Sequence, residues 1–388
     1  MWLRELRLTS FRNYRSLAIG FENGLNFLYG PNGSGKTSVL EAISYLAVAR
    51  SLRSASDAEV ARWGDAGFGV GGDVIESDGG ARTIVLRYRR GAGKEVSLDG
   101  EPLARLSDLV GHLRVAWFCP EDTWITKGGP DARRRLVDMT LCQIDAGYLA
   151  ALSCYRRALR QRNEALLNWT PDEESDRVVE AWSGKVADYG GRVIAGRAAM
   201  IPRLAEKVSR FHAEISGGDT LTLAYRSSVP LGDAGRSPGE AATGEEEAIE
   251  PGEARERFAR ALGDGLEDEK RRGFTLVGPH RDDLEVKLDG RLLRTFGSQG
   301  QHRTAAIALK LGEAAVLDAD GRGVVVLLDD VLSELDNERG AALVSHMGRH
   351  GQAFVTSTAR AARELAPGAG EGEGVACYHV NEGEVVRE

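Results

Sequence analysis

The chain has 388 residues, of which 42% are hydrophobic and 28% charged, with a formal net charge of −8. That length suggests two or three globular domains. The charged opening MWLRELRLTS and the lack of any run near the roughly 18 apolar residues of a membrane span argue against a secretory leader and a membrane protein, so a cytoplasmic location is expected. Four cysteines, Cys119, Cys142, Cys154 and Cys377, show neither CxxC nor His/Cys metal spacing and read as small core residues.

In chain order, WLRELRL and LNFLYG read as strands, and TIVLRYRR and KEVSLDGEPL alternate around an Asp-Gly hairpin signal. Between the second strand and the helical run KTSVLEAISYLAVA stands GPNGSGKT, residues 30–37, a full G-x-x-x-x-G-K-T phosphate loop in the context its mechanism needs. Gly30, Gly33 and Gly35 let the backbone curl through Pro31, Asn32 and Ser34 so that successive N–H groups face an anion. Lys36 is placed to reach β- and γ-phosphates and Thr37 to hold Mg²⁺. The alternative is a glycine-rich turn that caps a helix without any nucleotide.

From about Pro130 to Arg272 the pattern is helical. Trp182, Val186, Tyr189, Val193, Gly196, Met200, Leu204, Val208 and Phe211 recur at three- and four-residue steps, predicting an amphipathic helix kinked at Pro202. Residues 133–163 hold seven Arg against Asp138 and Asp145, a local net of +5. A nucleic-acid surface at Arg133, Arg134, Arg135, Arg156 and Arg160 is one reading of that cluster, and a solvated or internally paired face is the other. Arg is abundant everywhere, since only 8 of the 50 basic residues are Lys. Residues 240–256 carry seven Glu and one Arg, and the stretch 232–257 reads as a mobile acidic loop.

The strand character returns with the hairpin LEVKLDGRLL (284–293). Then FGSQGQHRT opens another helix, its Ser298 standing 262 residues beyond Lys36. Its Ser298, Gly300 and Gln301 offer a donor set suited to a phosphate, or simply a helix cap. VVVLLDD (324–330) delivers Asp329 and Asp330 to the end of an apolar strand. There Asp329 can support a metal and Asp330 can orient or deprotonate an attacking water, although a core strand can also end in a plain acidic turn. SELD follows, ending at Asp336, and QAFVTS (352–357) is the last apolar strand signal. The head is therefore expected from 1–128 and 273–388, with a helical arm inserted at 129–272.

Phosphate loop, insertion, S-x-G-Q, apolar strand with Asp, then S-x-L-D is an order that resembles the ABC-type ATPase heads. FRNYRSL (11–17), GPNGSGKTSVLEAI (30–43), FCPED (118–122), GGPDARRRLVD (128–138), YRRALRQRNEAL (155–166), VGPHRDDL (277–284), GSQGQHRTAAIALKL (297–311) and LLDDVLSELD (327–336) narrow the resemblance to the RecF family of bacterial recombination-mediator ATPases. The resemblance implies an α/β fold: an ABC-type head of mixed sheets with helices, related to the SMC heads, and a compact arm. It implies ATP and Mg²⁺ as ligands, an ATP-dependent homodimer and slow DNA-stimulated hydrolysis. It also implies binding to duplex DNA and its single-strand junctions, and work with RecR and RecO to load RecA at gaps. Under it, Arg12 sits by the nucleotide, and Ser298, Gly300, Gln301 and Asp336 serve the nucleotide of a second copy.

Three features depart from the wider ABC pattern. Asp330 stands where many heads have Glu, FCPED offers Glu121 and Asp122 but no sensing Gln, and FVTST, ending at Thr358, has no switch His. An ABC transporter ATPase subunit would be expected to carry that Gln and His. A P-loop kinase would leave SQGQ and SELD without a task, and a non-hydrolysing DNA-binding switch would use ATP by binding alone.

Overall fold

The computed structural model describes residues 1–54, 56–232, 249–331, 340, 351–358 and 375–388. The chain opens with β1 (Trp2–Phe11), β2 (Tyr14–Gly20), β3 (Leu25–Tyr29) and α1 (Lys36–Val48). It continues through β4 (Gly67–Ile75), β5 (Ala81–Arg89), β6 (Gly93–Leu98), β7 (Glu101–Pro102) and β8 (Val115–Phe118). Next come α2 (Thr123–Lys127), α3 (Pro130–Ile144), α4 (Ala146–Leu167), α5 (Glu173–Ser216), β9 (Leu221–Arg226), α6 (Pro251–Asp264) and α7 (Leu266–Arg272). After these stand β10 (Asp283–Leu288), β11 (Arg291–Leu292), α8 (Leu293–Phe296) and α9 (Gln299–Leu317). The chain ends with β12 (Val325–Leu328), β13 (Ala353–Ser357), β14 (Val375–Asn381) and β15 (Glu384–Arg387).

This is an α/β protein with mixed sheets. Two compact units form, Met1–Asp122 with Lys310–Glu388, and Thr123–Leu309. The breaks at 122/123 and 309/310 differ from the expected 128/129 and 272/273. Strand β10, read from the sequence as part of the head, pairs along its full length with β9, which lies inside the stretch that looked wholly helical. The pairing carries 273–309 into the helical unit.

In the first unit, one six-stranded sheet runs β2-β1-β4-β5-β6-β7 with antiparallel neighbours throughout. The second has the order β15-β14-β3-β13-β12-β8, parallel except for β15. Parallel strands covered on both faces need apolar residues at successive positions; Val325–Leu328 and Val115–Phe118 are buried at every one. Helix α1 is buried almost all round, from Val39 through Ala47, as a helix lying within a core must be. Tyr45 of α1 meets Phe11 and Phe68 edge to face, with ring centroids 6.2 and 5.4 Å away. Of the glycines in β4, Gly72 is the one that lets α1 lie close: a Cβ there would come within 2.5 Å of Leu46 Cδ1.

In the second unit, α5 is a 44-residue helix that runs without a break through Pro202. Of its nine periodic residues, Val186, Val193, Met200, Leu204, Val208 and Phe211 are buried. The three-stranded sheet β11-β10-β9 completes this unit. Its Asp289-Gly290 turn has positive φ at both residues (47° and 77°), the type I′ geometry its sequence announced. Of the acidic stretch 232–257, residues 233–248 lie outside the described residues, while 251–257 are helical in α6, where Pro251 starts the helix. Cys142 and Cys377 are buried, but Cys119 and Cys154 are only half-buried, and all four are free thiols. Among the described residues no helix is long and apolar enough to cross a membrane.

Candidate nucleotide site and signature turn

The parallel strands β3, β13, β12 and β8 end at one edge of their sheet, the place where open α/β sheets carry ligands. β3 runs directly into the 30–37 loop. Gly30, Gly33 and Gly35 hold φ of 155°, 77° and 118°. All three lie at positive φ values that favour glycine. At Gly35 space also decides, since a Cβ would stand 2.6 Å from Asn13 Nδ2 and 2.7 Å from the Tyr14 hydroxyl. Those two side chains grip the loop: Asn13 Nδ2 donates to Ser34 O at 2.9 Å and Tyr14 OH donates to Gly35 O at 3.1 Å. Pro31, Asn32 and Gly33 are exposed at its crest.

Lys36 Nζ donates to the carbonyls of Gly30 and Pro31, each at 2.8 Å. Burial pulls its ammonium below the ordinary lysine range, with Asp330 and Asp329 opposing. One turn into the same loop, Ser34 Oγ is buried without a hydrogen-bond partner among the described residues. A buried hydroxyl of this kind is expected to find an acceptor, and a phosphate oxygen would supply one.

Across the edge, Thr37 Oγ1 donates to Asp329 Oδ1 at 2.8 Å, joining the loop to the end of β12. Burial pushes the Asp329 carboxyl up, while its hydrogen bonds with Thr37 and Thr356 and the charge of Arg53 act against that shift. Thr356 of β13 lies with Oγ1 3.0 Å from Asp329 Oδ1 and accepts the Asp330 N–H at 2.9 Å. Asp330 itself turns the chain at φ 54°, a conformation Asp tolerates better than most residues. A hydroxyl and a carboxylate side by side, beside curled N–H groups and a lysine, form a donor set that fits a polyphosphate with a hard divalent cation.

Arg12, expected to sit by the nucleotide, is held by partners within the protein. Its guanidinium forms a bidentate pair with Glu41 of α1 (2.7 and 2.6 Å), donates to Glu59 O at 2.8 Å and reaches Ser54 Oγ. Glu41 is fully buried, so Arg12 neutralises a carboxylate that has no solvent. Its neighbours Asn13 and Tyr14 are the ones that touch the loop.

In the second unit, Ser298 caps α9. Gln301 N–H donates to Ser298 Oγ (3.2 Å), and Ser298 N–H donates to Gln301 Oε1 (2.9 Å). This reciprocal arrangement is a capping box. Ser298 and Gly300 are exposed and Gln301 is half-buried. Asp336 lies outside the described residues.

The five arm arginines divide. Arg133 is only 4% exposed and is turned inward. It pairs bidentately with Asp283 (2.7 and 2.9 Å) and donates to the carbonyls of Ile125 and Gly128. Arg134 is half-buried, donating to Asp282 O at 2.6 Å. Arg135, Arg156 and Arg160 are exposed, although Arg156 also reaches Asp138 at 3.1 Å.

The family model described as RecF/RecN/SMC N terminal domain matches residues 2–369. DNA replication and repair protein RecF of Chloroflexus aurantiacus is 40% identical over 383 residues, covering 92% of this chain and 93% of the relative. The chain belongs to the RecF family. RecF of Acetivibrio thermocellus is 36% identical over 360 residues with the same coverage. Among solved structures, the recombination mediator protein RecF-ATP in the RecFOR pathway superposes with a TM-score of 0.86 at 31% identity, covering 100% of this chain and 97% of the other. The Smc head domain of Pyrococcus furiosus superposes with a TM-score of 0.56 at 15% identity, with 100% and 96% coverage, which shows a shared fold.

Among the site residues, the sequence motifs of the family pointed to Lys36, Thr37, Asp329 and Asp330 but not to Asn13, Tyr14, Glu41 or Thr356. FRNYRSL was the available signal for the first two. Thr356 lies inside the apolar strand QAFVTS, where a threonine carries no signal of a site.

Proposed function

We propose that the protein is an ATP-dependent, DNA-binding recombination mediator. Two copies pair on ATP, hydrolyse it slowly under stimulation by DNA, and with RecO and RecR help load RecA at gapped DNA in the cytoplasm. The observation that carries the reading is the contact between Thr37 and Asp329, 292 residues apart, which joins phosphate loop and acidic strand end in one site. Membership of the RecF family supports the biological setting, and the pathway named for the similar solved structure supports the partners.

In this reading, the N–H groups of residues 33–37 and Lys36 bind the phosphates of ATP, and Ser34 Oγ gives its unused hydrogen bond to one of them. Thr37 and Asp329 hold Mg²⁺, whose chemistry when bound is to neutralise charge on the β- and γ-phosphates. Asp330 orients the attacking water and takes up its proton; as an Asp in place of a Glu, its shorter reach suits slow turnover. Arg12 keeps α1 in place through Glu41. The exposed Ser298 hydroxyl and the turn through Gly300 meet the γ-phosphate of a second copy, Gln301 holds that turn in shape, and Asp336 belongs to the same contact.

Duplex DNA and its single-strand junctions are bound by Arg135, Arg156 and Arg160, with Arg134 at the margin and Arg133 as internal support. Reversing the charge of the first three should weaken DNA binding and flatten its salt dependence by about 0.9 log unit for each phosphate that is no longer neutralised. Unchanged salt titrations would sink the assignment.

The paired-head reading is tested by light scattering with ATP and Mg²⁺. Asp330→Asn should give trapped dimers and Lys36→Met should stay monomeric, and monomers throughout overturn the reading. Hydrolysis assays with and without duplex DNA separate it from a switch that only binds ATP.

A further inference from the structure

The capping box at Ser298 accounts for Gln301 Oε1 but leaves its amide nitrogen to be explained. Nε2 points to Asp219, with Oδ2 3.4 Å away. Asp219 belongs to neither the nucleotide site nor the arginine cluster, and no motif of the sequence marks it. It follows the C-terminal end of α5, where Gly217 and Gly218 turn the chain at φ 78° and 137° before β9 begins. Its position is fixed from three sides. The Asp219 carbonyl lies 3.1 Å from Nδ1 of the buried His212 and 3.4 Å from Ser216 Oγ, both on the last two turns of α5. The next residue, Thr220, exchanges hydrogen bonds of 2.9 Å each with Asp289, donating its N–H to Oδ1 and accepting the Asp289 N–H at its carbonyl.

We propose that Asp219 is a positioning residue for the signature turn, tying the end of the long arm helix to the side chain that shapes it. The proposal rests on the paired-head reading for its consequence, but its geometry lies within one copy. With Nε2 held by Asp219, Gln301 keeps Oε1 on the Ser298 N–H. The Gln301 N–H in turn occupies a lone pair of Ser298 Oγ, so the hydroxyl proton is left to point outward. The Gln299 and Gly300 N–H groups, first in the helix, remain the other donors there, as helix geometry dictates. Gln301 thus acts on the phosphate of the second copy only through Ser298. A shift of the α5 end, such as a ligand on the arm would produce, moves Asp219 with it and loosens or tightens the turn.

The test compares wild type, Asp219→Ala, Asp219→Asn and Ser298→Ala in the full chain. Hydrogen exchange over 296–304 is measured without nucleotide, and association with ATP and Mg²⁺ is measured by light scattering. Asp219→Ala should speed exchange at the Ser298 and Gln301 amides and weaken ATP-dependent association by about fivefold, the factor that ~1 kcal/mol represents. Affinity for a fluorescent ATP analogue should be unchanged. Asp219→Asn, which keeps an acceptor oxygen for Nε2, should restore both properties. Unchanged exchange in Asp219→Ala overturns the positioning role whatever the dimer does. If wild type associates, Ser298→Ala does not and Asp219→Ala associates normally, the link to association is overturned and the paired-head reading stands. If wild type itself stays monomeric with ATP bound, that reading fails and takes the association half with it, while exchange still decides the positioning half.

Discussion

Replacing Thr356 by Val isolates the side chain that joins the two acidic residues. The substitution nearly preserves shape at a position 1% exposed, so the hydroxyl is the main loss. Two interactions go with it: the acceptor for the Asp330 N–H at 2.9 Å and the bond to Asp329 Oδ1 at 3.0 Å. The hydroxyl has one proton, shared between Asp329 and the Leu328 carbonyl at 3.3 Å, and the carboxylate is the stronger acceptor. An N–H left without a partner costs about 1–3 kcal/mol, and a hydrogen bond to a charged group contributes about 1.5–3 kcal/mol. Partial relaxation and solvent at the half-buried Asp330 reduce the sum, leaving ~2 kcal/mol. Urea unfolding followed by tryptophan fluorescence should show that loss, with Trp117 on β8, which pairs with β12, as one reporter. Thr356→Ser should recover most of it, and Mg²⁺ with ATP should bind Thr356→Val more weakly. A valine variant within ~0.5 kcal/mol of wild type, inside the range of ordinary surface substitutions, and with unchanged Mg²⁺ dependence would refute the assignment.

Asp329, its carboxyl raised by burial, should lose its hold on Mg²⁺ as pH falls through a value above the ordinary aspartate pKa of about 3.9. Asp329→Asn should weaken binding at every pH and erase that acid limb in Mg²⁺ titrations. For folding the sign is opposite: the native state binds the proton more tightly, so this group's contribution to stability declines as pH rises between the ordinary and the raised value, and urea midpoints of wild type and Asp329→Asn should diverge across that window. In the helical unit, Arg162 and Glu269 are both wholly buried and paired at 2.6 Å. Arg162→Met should cost about 3–5 kcal/mol by stranding the carboxylate, and adding Glu269→Leu should recover much of it in a double-mutant cycle. Gly72→Ala should destabilise by about 1–3 kcal/mol in the same assay, because its methyl group enters space held by Leu46 and Leu3.

What the sequence made legible follows from how local each signal is. The phosphate loop is a contiguous string whose glycines, lysine and threonine act within one turn, and β12 announces itself by four buried apolar residues before an acid. Thr356 has no such signature: a threonine in a strand is ordinary, and its role exists only because β13 lies beside β12 in the sheet. Strand β9 did alternate in LTLAYR, yet residues 227–282, with α6 and α7 among them, separate it in sequence from its partner β10. Charge counting failed for Arg133 on the same ground. A net charge says how many basic groups exist, while Asp283, 150 residues away, decides where this one points.

VGPHRDDL shows what such distant pairing can accomplish. Its residues had no chemical task in the sequence, yet nearly every one from Gly278 to Asp283 fastens a different element of the helical unit. Gly278 lies against Phe258 of α6, where a Cβ would stand 2.4 Å from Cζ. The Pro279 carbonyl accepts from Arg197 of α5 at 2.6 Å, and His280 Nδ1 meets the Tyr155 hydroxyl of α4 at 2.7 Å. Burial lowers the His280 pKa to about 4, so the ring is neutral at physiological pH and can take part in that bond without an unpaired charge. Asp282 accepts the Ser228 N–H at 2.8 Å and sits by Arg197 and Tyr225, while Asp283 takes Arg133 of α3. Buried ion pairs of this kind contribute little net stability, but each costs much to break. Their effect is therefore on register: a helix slipped by one residue would strand a buried charge, so this short segment selects one mutual arrangement of α3, α4, α5 and β9. The same arrangement fixes where α5 ends, and with it Asp219.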